Sequence, residues 1–137
     1  MRTTKISDDI SRITADNGGV FTGTGTNTYM VGNKEISVID PGPDLSKHID
    51  NIIDIGDGKI TKIFITHTHQ DHSPGAKTLS KRLNLPIYGC VTESSQIRDL
   101  HIEISHKVEH QSVIASSDHE IMPIHTPGHA SNHFCYL

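Results

Sequence analysis

The chain has 137 residues, a length that suits one domain over 1–137 and lets roughly 68–70% of the unfolded surface be buried. A formal net charge of −4 argues against a nucleic-acid partner drawn in by bulk electrostatics, although one groove can still be basic. The N-terminus carries charge with no apolar run behind it, and no segment approaches the about 20 apolar residues of a membrane span. The sequence therefore reads as cytoplasmic, with neither secretory signal nor membrane anchor.

In chain order, residues 6–13 read as a first edge strand. Residues 17–27, rich in glycine and threonine, read as a loop. Two short strands follow, Thr28 to Val31 and Glu35 to Ile39, joined by the turn Gly32-Asn33-Lys34. The second strand stops at Asp40-Pro41-Gly42-Pro43, where two prolines remove backbone donors. Asp44 or Ser46 is the expected N-cap of a helix carrying Leu45, Ile49, Ile52 and Ile53 on one face, ended by Gly56-Asp57-Gly58. Lys62 to Thr66 reads as a buried strand, Pro74 to Leu83 as a second helix with proline in its first turn, and Pro86 to Cys90 as another strand.

Residues 92–112 give no clear pattern. Val113-Ile114 and Glu120 to Ile124 read as strands, and Phe134 to Leu137 begins one more. Strands alternating with helices predict an α/β fold in layers. A chain that stops inside an apolar strand pattern is expected to be the front part of a longer fold. The two cysteines, Cys90 and Cys135, lie far apart among apolar neighbours and read as buried free thiols.

Histidine is the outlying number, with 11 in the chain. Four potential metal ligands, His67, His69, Asp71 and His72, fall within six residues directly after the strand ending near Thr66. Zinc takes imidazole nitrogen and carboxylate oxygen. On an extended segment, residues two apart point the same way, so His67 and His69 can grip one ion. Asp71 and His72 lie where the chain turns into the helix and can serve a second ion, about 3.5–4 Å from the first in two-metal hydrolytic sites. A polar loop of solvated histidines is the competing reading. So many donors packed behind one apolar strand favour the metal.

A second cluster, His125, His129 and His133, surrounds Pro127-Gly128 after another strand-like run. It is weak by itself, but it supplies a third imidazole for the first ion. His125 and His133 also fit surface positions or positions behind the ligands.

These segments resemble the metallo-β-lactamase superfamily. His67-Thr68-His69-Gln70-Asp71-His72 is similar to its HxHxDH signature, and Thr126-Pro127-Gly128-His129 to its second motif. Ile39-Asp40-Pro41-Gly42-Pro43 resembles the turn that precedes them. Residues 23–32 resemble the opening strand of the subgroup close to hydroxyacylglutathione hydrolases and β-lactamase-like protein 2.

The resemblance implies an αββα sandwich of which this sequence supplies the N-terminal half and the start of the second half. It implies a first zinc on His67, His69 and His129, and a second on Asp71 and His72. Asp71 would also orient or deprotonate the attacking water. Asp40 would be a hydrogen-bond partner behind a ligand histidine, a role for which a plain turn aspartate before Pro41 is the alternative.

The family's bridging aspartate and last histidine have no counterpart before Leu137, so the second site is expected to be incomplete. The implied activity is hydrolysis of an ester, thioester, lactam or phosphodiester small molecule. The alternatives are an inactive remnant and one half of a split hydrolase. Self-association, or a complementing C-terminal half, would cover the sheet left open.

Overall fold

The computed structural model describes residues 2–14, 27–42, 45–65, 74–89, 106–107, 109, 111–125 and 134–136. It opens on a hairpin, β1 (Arg2–Lys5) and β2 (Ile10–Thr14), where a single strand over 6–13 was expected. Ser7, Asp8 and Asp9 form the turn, whose amides at Ile6 and Ser7 both reach the Ile10 carbonyl, at 2.8 and 3.1 Å. Short polar side chains that compete for backbone groups favour such a turn over a continuous strand. The edge therefore belongs to β1, and β2 lies inside the sheet.

β3 (Asn27–Val31) and β4 (Ile36–Ile39) continue the antiparallel run. Helix α1 (Ser46–Gly56) then carries the chain to β5 (Ile60–Phe64), which pairs parallel to β4. Helix α2 (Pro74–Leu83) leads in the same way to β6 (Ile87–Gly89), also parallel, with β7 (His106–Lys107) beyond it. The seven strands form one sheet in sequence order, antiparallel from β1 to β4 and parallel from β4 to β7. Two small antiparallel pairs complete the described residues. They are β8 (Ile114–Ala115) with β9 (Glu120–Ile121), and β10 (Pro123–His125) with β11 (Phe134–Tyr136).

Strand alternation divides the large sheet into two faces. Cross-strand partners Ile13 and Thr28, and Met30, Val38, Ile63 and Ile87, share one face. Ile49 and Ile52 of α1 and Ala76 and Leu79 of α2 close over it, and these apolar side chains form one buried core. Each fully buried isoleucine there contributes on the order of 1.5–3 kcal/mol relative to exposure. The opposite face carries the row Arg12, Tyr29, Ile39, Phe64 and Tyr88, with the Phe64 and Tyr88 rings stacked at 4.9 Å.

Helix α1 departs from the sequence expectation at its start. Leu45 is the N-cap, in an extended conformation with no side-chain cap bond, so Ser46 is the first helical residue; Asp44 lies outside the described residues. Leu45 is accordingly exposed, and the buried stripe is His48, Ile49, Ile52 and Gly56. The expected stop holds, with Asp57 in the left-handed region donating to Ile53 at 3.2 Å. The glycine-rich loop, except for Asn27 at the start of β3, lies outside the described residues, as do Cys90 and the side chain of Cys135. No described helix is long and apolar enough to cross a membrane.

Candidate metal centre

The carboxyl ends of parallel strands in open α/β sheets are where ligands bind, because loops leave the sheet there. In this chain β4 and β5 end side by side. The Asp40 amide donates to the Phe64 carbonyl at 2.8 Å, and the Ile65 amide donates to the Tyr88 carbonyl of β6 at 3.0 Å. The chain then enters residues 66–73, which carry His67, His69, Asp71 and His72, and re-emerges at the start of α2. There the Gly75 amide donates to the Gly42 carbonyl at 2.8 Å. Phe64 and Gly75, which flank the histidine segment in the sequence, are therefore both tied to one turn, Asp40-Pro41-Gly42.

That turn is closely fitted. A Cβ on Gly75 would lie 2.9 Å from the Gly42 carbonyl oxygen, so only glycine permits this approach. Gly42 has φ +82°, which favours glycine for a second reason. Asp40 is itself left-handed, at φ +53°, a conformation that aspartate tolerates better than most residues. It is 6% exposed. Burial is costly for a carboxylate unless it is partnered, so Asp40 is more than a solvated turn residue.

Beneath the turn, two further buried polar side chains meet. The Thr28 hydroxyl lies 2.6 Å from the Asp40 carbonyl oxygen and 2.9 Å from His48 Nε2. Both residues are fully buried. Neither was expected from the sequence. For His48 the place in the buried stripe of α1 follows only once Leu45, rather than Asp44 or Ser46, is known to be the cap.

The five expected ligands, His67, His69, Asp71, His72 and His129, lie outside the described residues, as does His133. β10 pairs with β11, His125 opposite Phe134, and His129 falls between the two strands in the sequence. Of the expected site residues, Asp40 is the one whose surroundings are described. Three imidazoles, a further histidine and a carboxylate form a donor set that fits zinc chemistry, and the buried Asp40 between the ends of the histidine loop fits it too.

At the opposite end of the sheet, on the other face, lies a second constellation absent from the sequence reading. His119 Nε2 is 2.8 Å from Ser37 Oγ, and its Nδ1 is 2.9 Å from Asp118 Oδ1. Asp118 Oδ2 accepts the amides of Asn33 and Lys34 at 2.7 and 2.8 Å. The order serine, histidine, aspartate matches a nucleophilic triad. Ser37, however, is 0% exposed within β4, so no substrate reaches it, and the arrangement works as a clamp between sheets.

Comparison with known proteins agrees with this architecture. The chain is 30% identical over 137 residues to an atrochrysone carboxyl ACP thioesterase of Cryptosporiopsis sp. (strain 8999), covering 97% of this chain and 41% of that protein. It is 32% identical to the beta-lactamase-like protein 2 homolog of Caenorhabditis elegans, covering 95% of this chain and 46% of the other. The chain thus spans less than half the length of these relatives.

Among solved structures, a metallo-beta-lactamase from Cronobacter sakazakii superposes with a TM-score of 0.81 at 15% identity, over 99% of this chain and 58% of that one. A class B3 di-zinc metallo-beta-lactamase from an Alaskan soil metagenome superposes at 0.80 and 13%, over 100% and 56%. Those likenesses establish the α/β sandwich fold. The family model of the metallo-beta-lactamase superfamily matches residues 21–137, and the chain belongs to that superfamily.

Proposed function

We propose that this chain carries the zinc-binding part of a hydrolase acting on a thioester or related acyl ester. One observation carries the reading. The segment carrying His67, His69, Asp71 and His72 follows the carboxyl end of β5 in the sequence, and the residues flanking it, Phe64 and Gly75, are both bonded to the turn that contains the buried Asp40. The thioester class is favoured because several relatives of about 30% identity are named thioesterases.

In this proposal His67, His69 and His129 hold the first ion, and Asp71 and His72 contribute to a second. Zinc held by these residues would supply Lewis-acid chemistry, making hydroxide available near neutral pH and polarising an acyl carbonyl. Asp71, the carboxylate of the loop, orients the attacking water and takes its proton. Asp40 accepts an N–H from a ligand histidine, which fixes the tautomer of that ring and leaves its other nitrogen free to bind metal.

The test is to purify the 137-residue chain without a histidine tag, count bound zinc by atomic emission, and follow thiol release from short acyl thioesters. About one zinc per chain with turnover supports the proposal. Near-zero zinc overturns it. The second reading is a metal-binding half that needs a complementing C-terminal segment, and the 41% and 46% coverage of the relatives favours it. Zinc without turnover would select it.

A further inference from the structure

We propose that Thr28 and His48 are positioning residues of the metal centre. They hold the Asp40 turn, and through it both ends of the histidine loop. This rests on the zinc reading above and adds residues to it that carry no metal themselves.

The direction of the hydrogen bonds follows from chemistry. The Asp40 carbonyl oxygen can only accept, so the single Thr28 hydroxyl proton goes to it, across 2.6 Å. The hydroxyl oxygen must then accept from His48, across 2.9 Å, which requires a proton on Nε2. A directed chain runs from the α1 imidazole through the β3 hydroxyl to the carbonyl of the residue that leaves β4. The turn also wraps the ring closely, since a Cβ on Gly42 would sit 3.2 Å from His48 Nε2.

The geometry explains why a hydroxyl is needed where a methyl would fill the same space. The left-handed φ of Asp40 is not its preferred conformation. Its amide is held by the Phe64 carbonyl at 2.8 Å, and its carbonyl by the Thr28 hydroxyl. Release the carbonyl and the peptide joining Asp40 to Pro41 is free to rotate. The Gly42 carbonyl, which anchors Gly75 at the exit of the histidine loop, would rotate with it. An apolar residue in place of Thr28 would pack against Ile13 on the same face but could not hold that carbonyl.

The test compares the full chain with Thr28→Val, Thr28→Ser and, as a control for loss of a buried hydroxyl elsewhere in the sheet, Ser37→Ala. Two quantities are read. One is hydrogen exchange at the Asp40 and Gly75 amides without metal. The other is zinc affinity by chelator competition.

Thr28→Val should speed exchange at both amides and weaken zinc about 10–100-fold, the range typical of groups that orient ligands. Thr28→Ser should restore both, and Ser37→Ala should change neither. Unchanged exchange and affinity in Thr28→Val would overturn the proposal, as would an equal loss in Ser37→Ala. If the wild-type chain binds no zinc yet the two amides respond to Thr28→Val, the turn-holding role stands and the metal reading is what fails.

Discussion

Two hydroxyl–histidine pairs sit on the same sheet, at opposite ends and on opposite faces. At the carboxyl ends of β4 and β5, Thr28 and His48 meet the backbone of a left-handed aspartate. At the other end, Ser37 and His119 meet a carboxylate, Asp118, that accepts the amides of the β3–β4 turn. The side-chain chemistry is nearly the same. The partner differs: the first pair meets the backbone of the turn that anchors Gly75, whereas the second joins a hairpin to the sheet. The Lys62 ammonium supports that second junction, 2.7 Å from Ser116 Oγ. Glu35 supports it too, accepting the Ser117 amide at 2.8 Å. Function therefore follows from what a polar pair holds, and the pair alone does not reveal it.

Substitutions at the two ends should separate on metal binding. The largest effect is expected from the ligands. His67→Ala and His129→Ala should each lower zinc affinity beyond the roughly 100-fold reached by orienting groups, and His110→Ala, at a histidine outside both clusters of the sequence, should leave it intact. Equal binding by all three in a chelator titration would remove the ligand assignment.

Next comes Gly75→Ala, whose new Cβ would press on the Gly42 carbonyl oxygen. Overpacking of that kind should lower stability by about 1–3 kcal/mol and weaken zinc together. His119→Ala should lower stability by about 1–2 kcal/mol in denaturant titrations with zinc affinity unchanged. If His119→Ala weakened zinc as much as Gly75→Ala, the division between the ends would collapse.

A third expectation concerns pH. The Lys34 amide, the His119 ring and the Asn33 amide hold the Asp118 carboxyl well below the usual carboxylate range. A depressed folded pKa stabilises fully above the ordinary aspartate value of about 3.9 and loses that effect as pH falls below it. Asp118→Ala should therefore lower the melting temperature at pH 8, with the gap closing below about pH 4. A gap that widened in acid would reverse the sign. The smallest effect belongs to Arg82→Ala. Its 2.7 Å pair with Asp50 joins α2 to α1 in solvent, with the side chains 47% and 59% exposed. Its loss should change stability by less than about 1 kcal/mol.

Much of the architecture was legible before any coordinates. Helix α2 begins and ends where the Pro74 start and the apolar spacing place it, and β3, β4 and β6 fall within a residue of their expected bounds. The strand before the histidine motif was marked by its apolar run, a local signal, although it spans Ile60–Phe64 where Lys62 to Thr66 was expected; the motif residues lie outside the described residues. The opening hairpin was misread because its two strands differ in burial. β1 is polar, its Thr3, Thr4 and Lys5 are exposed, and it has no alternation to read, so the turn at residues 7–9 is not separable from one strand.

By itself, then, the sequence determined a candidate donor set next to a buried strand and the glycines and prolines that favour the turns. Those properties reside in neighbouring residues and survive without the fold. Only the tertiary structure decided which lone polar residues matter. Thr28, His48, Ser37 and His119 are ordinary in their own segments. Thr28 and His48 stand 20 residues apart, and Ser37 and His119 stand 82 apart. They meet because sheet register and helix packing bring them together, and a contact made by folding leaves no periodicity or spacing in the chain to announce it.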